Sequence, residues 1–388
     1  MVEYDVIIIG AGSVGVPTAL ATVNDGLKTL VIDYLPSVAQ ADNKHAIGGI
    51  RATHSHKGKI WLCQRSIEIF SSWEEKYGDD IWWNQGGYTF LAFTEEHEKL
   101  LKDTVKVQKS YGLNINYVDA EKIKEILPGI NENELLGGTH SPEDGNASPL
   151  LALHSFYRYS KNSGAEYHFN EKVIDILTKK DKVVGIKTSN GKYKTNSIIN
   201  AAGAHAKEIG NMVSVITPVE PESHEAGITE PVKKFFSSMI VDIKPFIDPK
   251  FGNSSNYYFY QNKEGKIIFC LTPEPNIPGI DRQETSSFLP QISKRMIHLL
   301  PRLRNIKVRR TWRGLYPMTP DGNPIIGKVG EIEGYINAVG MCGQGFMLGP
   351  GLGELLSRLI TEKTTPKDNE ILNNLSCNRD FCVEEELK

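Results

Sequence analysis

Apolar and polar stretches are marked off most clearly at the start of the chain. Asp5-Val6-Ile7-Ile8-Ile9 is a short apolar, β-branched run and reads as a strand. Gly10-Ala11-Gly12-Ser13-Val14-Gly15 follows, then a helical stretch over 16–23 that Asn24-Asp25-Gly26 ends. Lys28-Thr29-Leu30-Val31-Ile32 predicts a second strand, closed by Asp33. Farther along, spacing and turn residues predict helices over 60–73, 95–111, 119–127, 150–161 and 348–361. They predict strands over 86–93, 164–169, 171–176 (continuing the same sheet), 183–188, 197–205 and 335–339, with a hairpin turn at Asn190-Gly191. Residues 142–149 read as a loop, 218–309 as a strand-rich second region, and 377–388 as a mobile tail.

The opening stretch has the order strand, Gly-x-Gly-x-x-Gly, helix, strand, acid, which a dinucleotide-binding βαβ unit requires. Gly10 permits the tight turn, Gly12 lets a pyrophosphate approach the backbone, and Gly15 lets helix and strand pack closely. The helix N-terminus offers N–H groups and partial positive charge to phosphates. Asp33, followed by Tyr34, can accept hydrogen bonds from ribose hydroxyls, which favours FAD or NAD over NADP.

At 388 residues the chain exceeds what one core usually serves, so two domains are expected. A net charge of −3 argues against a nucleic-acid partner. Five scattered cysteines without Cys-x-x-Cys spacing suggest a reducing compartment. With the first strand beginning almost at Met1, and no apolar run of spanning length, a cytoplasmic protein that is not integral to a membrane is expected. His45, His54 and His56 match no standard metal spacing, so no metal is expected.

Four separated stretches then agree with one family. They are the N-terminal fingerprint with Asp33; Gly48-Gly49-Ile50-Arg51; Asn200-Ala201-Ala202-Gly203-Ala204; and Trp312 to Asp321 with Asn323 to Gly327, followed by Gly343-Gln344-Gly345-Phe346. The chain resembles the D-amino-acid-oxidase-like FAD oxidoreductases, most of all the sarcosine oxidase β-subunit and L-proline dehydrogenase β-subunit group. The resemblance implies an α/β (α+β) fold. A Rossmann-type FAD-binding domain would comprise residues 1–85, 143–212 and 310–388, and a mixed-sheet substrate-binding domain residues 86–142 and 213–309. It places Gly10, Ala11, Gly12, Ser13, Val14 and Gly15 at the phosphates and Asp33 and Tyr34 at the ribose. Asn43, Lys44, His45, Gly48, Gly49 and Ile50 would lie along pyrophosphate and flavin, Val173 at the adenine, and Ala201, Ala202 and Gly203 beside the dinucleotide. Gly343, Gln344, Gly345, Phe346 and Met347 would form a loop facing the flavin.

Two departures matter. Monomeric sarcosine oxidases tether FAD through a Cys where this chain has Gly314, so non-covalent FAD is expected. Their substrate carboxylate is held by an Arg, aligned with Arg51, and a Lys, whose position here is Met347. Arg51 and Arg313 are the guanidinium candidates for a carboxylate, each weighed against a structural role. His224 is the candidate proton acceptor near neutral pH, against a satisfied surface histidine. Tyr258 and Tyr316 are candidate lids for an amine, although Tyr257-Tyr258-Phe259-Tyr260 also fits a packed strand. The leading expectation is oxidation of a small amine or amino acid. A hydroxy substrate on the same fold, a flavin-bearing subunit of a hetero-oligomer, a homo-oligomer and an NAD-dependent dehydrogenase are the alternatives.

Overall fold

The computed structural model describes residues 2–382 and 385. Among them, six strands form the sheet that the N-terminal motif opens, in the order Ile325–Lys328, Tyr335–Val339, Ile198–Asn200, Val6–Ile9, Thr29–Ile32, Glu166–His168. All neighbours are parallel except the first pair. The uninterrupted apolar run in Val6–Ile9 follows from burial on both sides. Val6 and Ile8 join a core with the helices Gly15–Asn24, Lys57–Ser71, Pro149–Asn162 and Gly345–Ile360, whereas Ile7 and Ile9 join one with Val173, Ile176, Val183 and Ile186. Each such side chain contributes on the order of 1.5–3 kcal/mol.

The second cluster corrects one expectation. Val173–Lys179 does not continue the parallel sheet; with Lys182–Thr188 and Lys192–Tyr193 it forms a separate antiparallel sheet that covers its other face. The 142–149 loop also contains Gly145–Asn146, a short strand paired with Gly49–Ile50. The helix expected over 60–73 starts at Lys57 and breaks at Ser72, before a short helix Trp73–Tyr77.

Eight strands form the second large sheet, from Val308–Met318 through Glu220–Pro231, Lys266–Glu274, Asn253–Gln261, Met239–Asp242, Tyr88–Ala92 and Gly137–Ser141 to Asn116–Asp119. Period-two alternation sorts its side chains. Tyr257 and Phe259 pack under the helix Phe288–Leu299, while Tyr258 and Tyr260 face the other way, with Tyr88, Phe90 and Val241. That helix lies inside the segment read as strand-rich. Its signal was the helical spacing of Phe288, Ile292, Met296 and Leu299. Val308–Met318 pairs along Glu220–Pro231, so it carries the eight-stranded sheet through the expected boundary at residue 310.

The closing helix Gly345–Ile360 meets the chain's beginning. A Cβ on Gly349 would stand 1.8 Å from the Ser13 carbonyl oxygen, so only glycine allows this approach. The expected mobile tail is also corrected in part. Arg379 makes a bidentate pair with Asp321, and Glu385 is buried; residues 383, 384 and 386–388 lie outside the described residues. Among the described residues, no helix is long and apolar enough to cross a membrane.

Candidate cofactor and substrate site

A cavity of about 630 Å³ lies between the carboxyl ends of the parallel strands and the inner face of the eight-stranded sheet. This is where open α/β sheets bind ligands. Its two ends differ in chemistry. Gly10, Gly12, Ser13, Val14, Asp33 and Tyr34 wall one end. The helix Gly15–Asn24 starts there with no acidic side chain in its first turn and no side-chain cap from Val14, so its N–H groups suit an anion. The Asp33 carboxylate is oriented by the Ala11 N–H on Oδ2 (2.7 Å) and the Leu35 N–H on Oδ1 (2.9 Å). Burial raises its pKa, partly offset by those two donors.

The middle of the cavity is walled by Asn43, His45, Gly48, Gly49, Gly314 and Val173, with Ala201, Ala202 and Gly203 from the strand end. His45 is fixed by the Trp312 indole N–H on its carbonyl (2.8 Å), and burial lowers its pKa. A Cβ on Gly314 would lie 2.8 Å from the His45 Cβ, leaving no room for a side chain there. Gly343 to Met347 complete this wall. Gly343 has φ +79° and its missing Cβ would overlap the Tyr316 ring at 2.3 Å.

The far end is aromatic and uncharged in the main. The phenols of Tyr258 and Tyr316 hydrogen-bond each other, and the His224 ring stacks on Tyr316 at 3.8 Å and 12°. His224 is buried rather than on the surface. Burial, then the nearby Arg313 guanidinium, push its imidazole down to about 3. The expected titration near neutrality is therefore replaced by a neutral ring. Arg51 sits at the edge, 5 % exposed, donating to the Thr53 carbonyl and lying over the Phe90 and Tyr88 rings at 5.4 and 5.9 Å. Asp144 is buried beside it, and desolvation raises its carboxyl to about 7.

Five expected site residues do not wall the cavity. Arg313 alternates with Gly314 and Tyr316 along its strand, so its side chain is directed elsewhere, to the Gln283 carbonyl (2.6 Å) and Asp281 (3.4 Å). Ala11 contributes its N–H to Asp33, Gly15 is the first residue of the helix Gly15–Asn24 and packs against the Gly10 carbonyl, Ile50 is in the core and Lys44 is exposed. Sequence reading missed Asp42, Arg282, Asn256, Thr272 and Cys270, which do wall the cavity. Arg282 pairs with Asp42 at 2.6 Å across two distant segments, a contact without any local pattern. Among the described residues, no three His, Cys, Asp or Glu side chains are grouped to hold a metal ion.

The profile of one family, described as DAO, FAD dependent oxidoreductase, matches residues 5–359. The chain belongs to this family. It is an FAD-dependent oxidoreductase. Among the relatives of this DAO-family enzyme, hydrogen cyanide synthase subunit HcnC of Pseudomonas aeruginosa is 26% identical over 76% of the chain and 67% of its own length. Human mitochondrial dimethylglycine dehydrogenase is 24% identical over 94% of the chain, which spans only 43% of that protein. The crystal structure of L-proline dehydrogenase from P. horikoshii superposes with a TM-score of 0.86 at 31% identity, covering 94% of this chain and 95% of that one.

The side chains of the DAO-family enzyme fit the cofactor. Asn43, Gln344 and His224 line the cavity, and their Oδ1, Oε1 and Nδ1 atoms are buried with no hydrogen-bond partner among the described residues. Such atoms are costly unless a ligand satisfies them. Gly12 has open space where a Cβ would stand, as a close-approaching pyrophosphate needs.

Proposed function

We propose that the enzyme oxidises the C–N bond of an amino acid or secondary amine, using FAD held without a covalent tether. Bound FAD supplies the two-electron acceptor. The glycine turn and helix N-terminus would hold its phosphates, Asp33 its ribose, and Gly343–Gln344 with the first turn of the helix Gly345–Ile360 its reactive end. His224 carries the reading: it is a buried, neutral ring that lines the cavity. With an unprotonated ring nitrogen towards the cavity it accepts a hydrogen bond from a substrate N–H and favours the unprotonated amine that oxidation requires. Tyr258 and Tyr316 form an aromatic wall that keeps water out, and Arg51 supplies a guanidinium for a carboxylate. The names of dimethylglycine dehydrogenase and L-proline dehydrogenase support this substrate class.

The cofactor-binding and substrate-binding units follow the two large sheets, with Val308–Met318 on the substrate side. HcnC is a subunit by name, which supports a second reading in which this chain works inside a hetero-oligomer.

The test is an anaerobic absorbance titration of the purified chain with L-proline, sarcosine, glycine and D-alanine in turn. Bleaching of the flavin bands by one of them is expected. A flavin that none of them bleaches, in the presence or absence of copurifying chains, would refute the substrate class.

A further inference from the structure

The backbone of the cofactor-facing loop is unusual. Cys342, which is not glycine, has φ +48°, between Gly340 at +68° and Gly343 at +79°. Such a conformation persists only where its surroundings over-determine it. The Cys342 N–H donates to the Pro317 carbonyl at 3.1 Å, and Thr319 is a second support. Its hydroxyl lies 3.4 Å from the Cys342 Sγ, and its methyl would be 2.2 Å from a Cβ on Gly340. Thr319 is itself held by donating to Asp321 Oδ1 (3.1 Å) and the Asn323 carbonyl (2.7 Å).

The Thr319–Asn323 turn is held in turn by the end of the chain. The Glu385 N–H donates to the Asp321 carbonyl at 3.0 Å. Its carboxylate accepts the Ser55 N–H (2.8 Å) and hydroxyl (2.7 Å) on Oε1, and lies 2.8 Å from Lys59 Nζ through Oε2. Lys59 also reaches the Gly322 carbonyl at 3.4 Å. Both side chains of this ion pair have no solvent exposure. An ion pair so deeply desolvated is poor at adding stability but severe when broken. It therefore registers one geometry of the turn against the helix Lys57–Ser71.

We propose that Glu385 is a positioning residue for the cofactor site: its buried carboxylate, paired with Lys59, holds the Thr319–Asn323 turn against the loop Gly340–Gln344 and so keeps that loop shaped for FAD. This rests on FAD being held reversibly. Wild-type protein that releases no FAD on denaturation would fail that premise, independently of what any variant does.

The test is the FAD dissociation constant of apoprotein reconstituted with FAD, read by flavin fluorescence beside the melting temperature of the apoprotein. Glu385→Gln leaves Lys59 buried without its counter-ion and is expected to weaken FAD binding at least about tenfold. Adding Lys59→Met removes the stranded charge and is expected to restore binding to within about threefold. A merely structural pair would lower the melting temperature and leave the dissociation constant of the folded protein unchanged. An unchanged constant in E385Q, or no restoration in the double variant, overturns the proposal. Should E385Q not fold, Ser55→Ala takes its place. It removes one donor from the same carboxylate and should weaken FAD binding at least about threefold, an unchanged constant again overturning the proposal.

Discussion

Replacing Gly10 and Gly12 by alanine, one at a time, should separate folding from cofactor binding within five residues. Gly10 has φ +112°, and a Cβ there would stand 2.4 Å from the Ala201 carbonyl oxygen. The backbone conformation alone costs an alanine about 1–3 kcal/mol. Overlap with a main-chain atom that cannot rotate away adds about 1–3 kcal/mol. Gly10→Ala should therefore destabilise the apoprotein by on the order of 4 kcal/mol, about 5 °C for a chain of this length. Gly12 differs: no atom lies within 4 Å of its missing Cβ. Gly12→Ala should change apoprotein stability by less than about 1 kcal/mol. Its methyl group, however, fills the space through which a pyrophosphate reaches the backbone. FAD should bind at least about tenfold more weakly, which is about 1.4 kcal/mol. Thermal unfolding of both apoproteins, beside fluorescence titration with FAD, reads the two effects separately. A G12A protein that melts as low as G10A, or binds FAD as the wild type does, would refute the reasoning.

Further expectations follow from the same geometry. The folded-state pKa of Asp144, near 7, lies above its ordinary value, so the native state holds its proton more tightly than the unfolded state. This group therefore lowers stability as pH rises from about 4 to about 7, by up to a few kcal/mol, and Asp144→Asn should flatten that part of a melting temperature–pH curve. Burial pushes the Asp321 carboxyl up, but Arg379 and the Asn323 N–H more than offset it and leave it below its usual value. Arg379→Met strands that carboxylate and should cost about 3–5 kcal/mol, measured by denaturant unfolding at neutral pH. The His224 imidazole, at about 3, should show no ring titration by NMR between pH 5 and 8, and a midpoint inside that range would contradict the buried neutral ring.

The part of the site that sequence reading located best is the part whose chemistry is local. From Gly10 to Asp33 each task falls to a residue type at fixed spacing, and strand, turn and helix follow in order. Arg313 shows where this stops. Whether an arginine in a strand faces a cavity depends on parity, which is set by pairing with Glu220–Pro231 and not by its neighbours in sequence. His224 was legible as a candidate, but its protonation depends on burial that only the packed sheets create. The Phe288–Leu299 helix was within reach through its apolar spacing, and was overridden by the strand-rich character of the surrounding segment. Glu385 was out of reach, because a glutamate in an acidic terminal run reads as solvated until a buried lysine from another helix is placed beside it.

The approach of Gly349 to Ser13 has a consequence for how the enzyme is made. One wall of the cavity, Gly10 to Val14, leaves the ribosome well before the neighbouring wall, Gly343 to Met347. At about 5–20 residues/s, translation leaves the early turn waiting for on the order of half a minute. During that interval the nascent βαβ unit presents a phosphate turn without the helix that closes over it. Cofactor capture thus waits for the Gly343–Met347 segment. Pulse-labelled chains released early should lack flavin, and a shortage of riboflavin during growth should leave completed apoprotein rather than arrested fragments.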